Sequence, residues 1–326
     1  MPIGIAKERQ LYKKYGLDVE LIFIPSSTTT ISTVVAGSVG VGNISGGATA
    51  NAAVGGAGAV AVGCFINSLP YELVVHESIR SAAQLKGRSI GISRVGSFSD
   101  VAARVFLKEL KLEPDKDVAI LQVGGSTERA AAFRTGRIVA FPAPPGVIHL
   151  TRGMPHRILV SMADFPKGFP VPYVCPTASK SFLKSNRDTM KRLLMALIDA
   201  THFFKTRKEE SKKIMAKYTR HTNQAFLESA YQSSNKLFEQ VPLVNREGMD
   251  VQTKDAVLRK PGSILKVDDV VDDSLVLELE KEGFISVFTN KNGSPACSCQ
   301  SIPVVGKYPL TTGGSNAWSK SIFSDF

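Results

Sequence analysis

The segment SIGISRVGSFSDVAARVFLKEL, residues 89–110, indicates the fold of this chain because it joins a strand, a polar turn and a helix. Ser89–Ser93 is short and rich in isoleucine, which is typical of a buried strand. Arg94–Asp100 is a polar turn, and Val101–Leu112 repeats apolar residues with a helical period. Three side chains in the turn can accept hydrogen bonds from the first N–H groups of that helix: Ser97, Ser99 and Asp100. A polar turn at a helix N-terminus is a general site for an anionic or polar ligand group.

A second strand–helix–strand unit follows at residues 120–146, and it resembles an earlier part of the chain. Residues 22–47 (IFIPSSTTTISTVVAGSVGVGNISGG) align without a gap with residues 121–146 (LQVGGSTERAAAFRTGRIVAFPAPPG). Ser27 meets Ser126 and Gly37 meets Gly136, a constant offset of 99 (126 − 27 and 136 − 37). Chance similarity between two such units is the alternative. The repeat predicts two α/β lobes that present Ser, Thr and Gly loops at the carboxyl ends of their strands, where open α/β sheets bind ligands.

Length and charge agree with this architecture. The 326 residues suffice for two modest α/β domains, each with its own core. The formal net charge of +11 suits an anionic partner, but much of the excess lies at residues 180–220 among helical apolar residues. That pattern indicates a solvated helix face. The sequence contains no aromatic and basic motif for nucleic acid, so we expect no nucleic-acid partner.

The cysteines and histidines predict neither a metal site nor a cofactor. Cys64, Cys175, Cys297 and Cys299 are too few and too scattered for a disulfide framework, and no spacing matches a zinc site. Cys64 and Cys175 stand in apolar surroundings and are interpreted as small core residues. The five histidines have no mutual spacing that suits a metal.

Residues 21–71 contain no charged side chain, which raises the possibility of a membrane span. About 20 apolar residues would suffice for one. Pro25, Asn43, Asn51 and many glycines interrupt this stretch, so a strand–helix–strand unit buried on both faces explains it better. No signal-peptide pattern follows Met1.

The part of the chain after residue 180 is predicted to be helical. Arg187–Phe204 carries an apolar stripe that fits docking onto a core. Asn290–Phe326 differs, because it is rich in Gly and Ser, lacks periodicity and holds the lone Trp318. We interpret this tail as disordered or as an aberrant extension of the chain.

The span to about Phe288 resembles the periplasmic substrate-binding proteins of nitrate, taurine and aliphatic-sulfonate ABC importers, and the related thiamine-precursor binders. The order and spacing of the matching segments agree as well as their content. These segments are LYKKYGLDVELI, VVAGSVGVGNISGG, INSLPYELVV, LKGRSIGISRVGSFSD, ILQVGGSTERAAAFRTGRI and the two prolines of FPAPPG.

The resemblance implies a type II periplasmic binding protein fold, with two α/β lobes joined by a two-strand hinge and a ligand held in the cleft. It divides the chain into residues 1–76 (first part of lobe I), 77–172 (lobe II), 173–289 (helical C-terminal part of lobe I) and the tail, 290–326. Members of the family begin with a signal peptide and a first strand ahead of the LYKKYGLDVE helix, and neither is found here. Since that strand belongs in the middle of the lobe I sheet, we expect a shortened N-terminus and weakened folding of lobe I.

The candidate ligand-binding residues follow from the resemblance and from the hydroxyl- and glycine-rich loops. They are Ser26, Ser27, Thr28, Ser45, Gly46, Gly47, Asn67, Ser93, Arg94, Gly96, Ser97, Ser99, Gly124, Gly125, Ser126, Thr127, Pro144 and Pro145. Hydroxyls donate hydrogen bonds to a ligand, whereas the alternative role of these residues is to form turns and caps. Arg94 is the charged side chain of these loops that precedes the helix, so it either pairs with a sulfonate or carboxylate or lies in solvent. We expect no catalytic residue.

The leading hypothesis is therefore the solute-binding component of an ABC importer. It would capture a small anionic solute (sulfonate, nitrate, taurine or carboxylate-like) and deliver it, as a monomer, to a permease with its ATPase. The resemblance implies a location in the periplasm, free or lipid-anchored, with at most a peripheral membrane contact. One alternative is binding or synthesis of a thiamine-pyrimidine precursor on the same fold, although the cysteine-rich iron motif of the eukaryotic synthase is replaced here by isolated cysteines. The other is a solute-sensing module.

Overall fold

Two mixed β-sheets, each flanked by helices, form the framework of the protein. A computed structural model describes residues 1–24, 26–68, 70–144, 148–161, 170–219, 222–289 and 320–323. Its strands are β1 Glu20–Phe23, β2 Val41–Ile44, β3 Ala59–Ala61, β4 Ile66–Ser68, β5 Glu72–His76, β6 Ser89–Ile92, β7 Ala119–Gln122, β8 Ala140–Ala143, β9 His156–Ser161, β10 Pro170–Ser179 and β11 Lys320–Phe323.

The helices of the described ranges cover the sheets and build most of the C-terminal half. They are α1 Pro2–Glu8, α2 Leu11–Lys14, α3 Ser27–Val35, α4 Gly46–Val54, α5 Phe98–Glu109, α6 Ser126–Arg134, α7 Lys180–Ser185, α8 Arg187–Thr206, α9 Lys208–Thr219, α10 Gln224–Leu237, α11 Arg246–Arg259, α12 Ser274–Lys281 and α13 Ser286–Thr289. Among them there is no helix with the length and apolar character needed to cross a bilayer.

The first sheet has the strand order β1-β11-β2-β10-β3, and β4 pairs with the far end of β10. β1, β11 and β2 are parallel, whereas β10 runs antiparallel to β2 and β3. The second sheet has the order β7-β6-β8-β5-β9, with β7, β6 and β8 parallel and β5 antiparallel to its two neighbours. The two sheets therefore have the same arrangement of parallel and antiparallel strands, and the predicted two-lobed α/β fold is confirmed.

The repeat in the sequence is present in the structure, element by element. β1 and β7, α3 and α6, and β2 and β8 are pairs of equal length whose first residues differ by 99 (119 − 20, 126 − 27 and 140 − 41). β1 thus corresponds to β7 and β2 to β8. Equal spacing of apolar and hydroxyl residues has produced the same local structure twice.

The chain passes between the sheets near β4 and β10, which pair with each other through Ser68 and Pro170 and through Ile66 and Val174. One strand, β5, belongs to a different lobe from the one that the sequence analysis assigned to it. The strand Glu72–His76, assigned to residues 1–76 of lobe I, pairs with β8 and β9 of the second sheet. We call the first sheet with its helices the first lobe, and the second sheet with α5 and α6 the second lobe.

The predicted apolar stripe of α8 is buried in the first lobe, including Met190, Leu194 and Ile198. The N-terminal segment forms two short helices, α1 and α2. They are separated at Gln10, which has a left-handed backbone with φ of 54°.

Cys64 and Cys175 are core residues, as interpreted from the sequence, but they form a disulfide bond that the sequence analysis did not predict. Both residues are fully buried. Cys64 follows β3, and β10 returns beside it, since Phe65 N donates to Val174 O (2.8 Å). The sequence separation of 111 residues hid this proximity. Cys297 and Cys299 lie outside the described residues.

The prediction that the whole tail lacks regular structure does not hold for Lys320–Phe323, which forms β11. This strand lies between β1 and β2 and runs parallel to them. The other residues of the tail, including Trp318, lie outside the described ranges.

Candidate functional site: the cleft between the lobes

The polar turns after β1, β2 and β6 meet where the two lobes touch. Thr28, in the first turn of α3, donates a hydrogen bond from Oγ1 to the carbonyl of Val95 in the second lobe (3.0 Å). Ser45 Oγ, before α4, donates to the carbonyl of Gly96 in the same turn (3.3 Å). The loops that the sequence analysis placed at the carboxyl ends of the strands are therefore in contact across a closed cleft.

Two hydroxyl groups at the N-terminus of α3 are buried without a hydrogen-bond partner in the described part of the chain. Ser26 is 4% exposed and Ser27 is fully buried, and neither Oγ atom is paired. A buried unpaired hydroxyl costs about 1–3 kcal/mol relative to a paired one. Such groups in a native structure need an explanation, and a ligand that accepts or donates a hydrogen bond supplies one.

The N-terminus of α4 is packed closely between the lobes. Ser45 accepts a hydrogen bond from Ala48 N (3.2 Å) and caps the helix. A Cβ atom on Gly47 would lie 2.6 Å from Gln252 Oε1 and 3.0 Å from Val101 Cγ2, and Gly46 is similarly enclosed by Met249. The glycines let the backbone of α4 approach α11 of its own lobe and α5 of the other.

Three buried hydroxyls of the turn after β6 bind one another. Ser93 Oγ lies 2.7 Å from Ser97 Oγ and 3.0 Å from Ser99 Oγ, and Ser97 and Ser99 are also 3.0 Å apart. Ser97 is the N-cap residue of α5, but its hydroxyl makes no capping bond to the helix. The ring of hydroxyls therefore holds the turn in shape and places it against the first lobe.

Asp100 is a charged group of the cleft that the sequence analysis named only as a possible cap. Its carboxylate is fully buried and accepts hydrogen bonds from Gly96 N (2.7 Å) and Arg104 Nε (2.8 Å). It also accepts one from Arg259 Nη1 (3.2 Å), which comes from α11 of the first lobe. Asp100 thus fixes the turn after β6 and ties the two lobes together.

A group of buried aromatic rings lies beside this turn and was also missed by the sequence analysis. The ring of Phe98 lies 4.2 Å from that of Tyr173 on β10, and Tyr71 contacts Tyr173 edge-on at 5.7 Å. The three side chains are at most 7% exposed. Their positions far apart in the sequence carry no pattern that predicts the cluster.

Arg94 and the α6 turn lie at the edge of the cleft region in more open positions. Arg94 is exposed. Ser126 Oγ accepts a hydrogen bond from Arg129 Nη2 (3.0 Å), Thr127 is exposed, and Gly124 and Gly125 are half-buried. Pro144 is buried at the end of β8, and Pro145 lies outside the described residues.

Asn67 has a structural role in this arrangement. Its amide donates to Glu239 Oε2 (3.0 Å) and Leu243 O (2.7 Å), and its Oδ1 accepts from Asn245 N (2.8 Å). These bonds stay within the first lobe and join β4 to the start of α11. Because both polar atoms of its side chain already have hydrogen-bond partners within the first lobe, we do not include Asn67 among the residues proposed to bind a solute.

The loops that form the cleft belong to a region of the chain that matches a known protein family. The model of the NMT1-like family matches residues 1–219, about two thirds of the sequence and both sets of cleft loops. The chain belongs to the NMT1-like family. A relative from Brucella abortus, whose name describes it as a candidate binding protein, is 28% identical over 254 residues and covers 75% of this chain and 76% of its own length.

Solved structures agree with the family at the level of the fold. The alkanesulfonate-binding protein SsuA of Xanthomonas axonopodis, bound to MOPS, superposes with a TM-score of 0.69 at 18% identity, covering 83% of this chain and 94% of that one. The periplasmic nitrate-binding protein NrtA of Synechocystis gives 0.69 at 16% identity, covering 86% and 85%. The predicted periplasmic binding protein fold is thereby confirmed.

Proposed function

We propose that this member of the NMT1-like family is the solute-binding component of an ABC importer. It captures a small anionic solute between its lobes and passes it to a permease with its ATPase. The observation that carries the proposal is the pair of buried, unpartnered hydroxyls of Ser26 and Ser27 at the N-terminus of α3. Hydroxyls and the positive end of a helix dipole together favour an anion.

The class of solute is proposed from the site and from what the related proteins bind. The solved relatives are named for sulfonate and nitrate, and both anions accept hydrogen bonds from hydroxyl and N–H groups. The buried rings of Phe98, Tyr71 and Tyr173 lie next to the hydroxyl turn and make its surroundings apolar. This combination favours an organic anion, a sulfonate or carboxylate with an apolar part, over nitrate.

We propose binding without catalysis. The polar groups of the described cleft include serine and threonine hydroxyls, backbone N–H groups, the Gln252 amide and the Asp100–Arg259 pair. The Asp100 carboxylate accepts hydrogen bonds from three donors, so we assign it to stabilising the turn and not to proton transfer.

An extracytoplasmic location is part of the proposal. The buried Cys64–Cys175 disulfide supports it, because disulfides form and persist in oxidising compartments. Several of the structural relatives are described as periplasmic.

The test is a thermal-shift and calorimetric series with an alkanesulfonate, taurine, an aromatic carboxylate and nitrate. A solute that binds the folded state stabilises it by about 2.7 kcal/mol at a hundredfold excess over Kd. We expect the alkanesulfonate or the carboxylate to raise Tm, and Ser26→Ala and Ser27→Ala to weaken binding about tenfold each. Ser38→Ala, at an exposed position, is the matched control and should bind as the wild type does. Absence of a shift with every anion would overturn the proposed class of solute.

A further inference from the structure

One interior strand of the first sheet, β11, comes from an unexpected part of the chain. In the second lobe, β6 lies between β7 and β8 and immediately precedes β7 in sequence. In the first lobe the corresponding strands β1 and β2 enclose β11, which is formed by residues 320–323. The second position in the strand order is thus occupied by β6 in the second sheet and by the C-terminal strand β11 in the first sheet.

The pairing of β11 is extensive for so short a strand. All four of its residues are in register with β1, from Glu20 opposite Lys320 to Phe23 opposite Phe323. On its other side, Ile322 lies opposite Gly42 and Phe323 opposite Asn43 of β2. Neighbouring strands are about 4.8 Å apart, so β1 and β2 are separated by two spacings and the space between them takes one strand.

β1 reaches the rest of its sheet through β11, its one strand neighbour in the described part of the chain. Its side chains nevertheless pack on both faces. Leu21 contacts the large core that includes Val41 and Met190, and Ile22 contacts the smaller cluster that includes Ile31 and Val34. Without a strand in this place, β1 would keep its apolar contacts but lose its ladder hydrogen bonds, which is costly for half-buried backbone groups.

We infer that the space between β1 and β2 is an acceptor site for a parallel extended segment, and that the chain's own residues 320–323 are its occupant. The mode of binding is β-augmentation, in which main-chain hydrogen bonds on both sides of the added strand provide the affinity. The C-terminal segment is therefore a structural part of the first lobe. It joins β1 and β2, the two strands that are followed by the site residues Ser26 and Ser45.

Deletion of residues 290–326 tests this inference. We expect hydrogen exchange to be at least tenfold faster in the truncated protein at those amides of Glu20–Phe23 that face β11, while Ile90–Ile92 of the second sheet exchange as before. A synthetic peptide of residues 316–326 (NAWSKSIFSDF) should restore the slow exchange. The single tryptophan of the chain lies in this peptide and not in the truncated protein, so its fluorescence anisotropy measures binding directly.

The peptide with Ile322→Pro is the matched control, since proline lacks the N–H that a central strand needs, and it should neither bind nor protect. If the truncated protein does not fold, the same exchange measurement compares full-length Ile322→Pro with Ser315→Pro, and only the former should lose protection. Unchanged protection of the β1 amides that face β11, after truncation or after Ile322→Pro, would overturn the inference. Protection that depends on protein concentration in the full chain would also overturn it, because a second copy would then donate the strand.

Discussion

Arg259 and Asp100 form an ion pair between the two lobes, with Arg259 Nη1 3.2 Å from Asp100 Oδ2 across 159 residues of sequence. Asp100 belongs to the first turn of α5 and Arg259 to the last turn of α11. Arg259 also pairs with Asp255 on its own helix. The pair therefore connects the turn that faces the proposed solute with the helix that packs on α4, and it favours the closed arrangement of the lobes.

Replacing Arg259 by methionine should loosen the closed state. Asp100 would keep its bonds to Gly96 N and Arg104, so the protein should still fold. Because Arg259 is partly exposed, we expect the closed state to lose about 1 kcal/mol, or roughly fivefold in Kd for the solute. Small-angle scattering of the unliganded protein should show a larger radius of gyration. Lys254→Met on the same helix, which breaks only a local pair with Asp250, is the control. Equal effects of the two variants would contradict the inter-lobe role.

Gly47→Ala should oppose closure by steric overlap. The added Cβ would lie 2.6 Å from Gln252 Oε1 and 3.0 Å from Val101 Cγ2. Overpacking of this kind costs about 1–3 kcal/mol, so Tm should fall and solute binding should weaken. The double variant Gly47→Ala/Gln252→Ala should recover part of the loss, since it removes the closer contact. Gly58→Ala, whose nearest neighbours are 3.9 Å away, is the control and should leave Tm within a degree or two of the wild type.

Removing the disulfide with Cys64→Ala/Cys175→Ala should lower the free energy of unfolding by about 2–4 kcal/mol, because the bond closes a long loop in the unfolded chain. Urea unfolding with and without a reductant measures the effect. Reduction should destabilise the wild type by a similar amount and leave the double variant unchanged. If thiol titration of the denatured, unreduced protein counts four free thiols, all the cysteines of the chain are reduced and the bond is absent.

The Glu239 carboxyl should make stability depend on pH. Partial desolvation of the carboxyl raises its pKa although the residue as a whole is exposed, against the opposing effects of the Asn67 hydrogen bond and the charge of Lys205. A carboxyl with a raised pKa in the folded state stabilises the fold while both states are protonated, and this contribution is lost as pH rises through the folded pKa. We therefore expect Glu239→Gln to raise Tm at pH 8, with the gain disappearing at about pH 4.

The control for this experiment is Glu109→Gln, at an exposed position near the end of α5. Glutamine at 239 retains an oxygen that can accept the hydrogen bond from Asn67 Nδ2, so the comparison isolates the charge. A lower Tm for Glu239→Gln at pH 8 would show that the ionised carboxylate stabilises the protein and would reject the prediction.

The predicted elements around the cleft agree closely with the structure, and the reason is local. The alternation of isoleucines at 89–92, the helical period after Asp100 and the hydroxyls at the start of α3 and α6 each act over a few residues of the chain. The 99-residue repeat then related β1 to β7 and β2 to β8 without any knowledge of their packing.

The candidate residues lie in different environments, and no local sequence pattern predicts which environment each of them has. Ser27 and Ser126 occupy equivalent positions in the repeat, yet Ser27 Oγ is buried without a partner and Ser126 Oγ accepts a bond from Arg129. Asn67 is a candidate site residue from the sequence, but Glu239, Leu243 and Asn245 form hydrogen bonds with its side-chain amide. The difference depends on which distant segment packs against each loop.

The amino-acid sequence by itself determined the strand–turn–helix units, their repetition in two lobes and the kind of polar groups that the loops present. These properties depend on backbone preference and on the spacing of apolar side chains, which act over a few residues. Only the tertiary structure decided that Cys64 bonds to Cys175, that Arg259 pairs with Asp100 and that residues 320–323 lie between β1 and β2. Each of these contacts joins segments more than 100 residues apart, and such partners are selected by the path of the whole chain, because the residues themselves would pair equally well elsewhere.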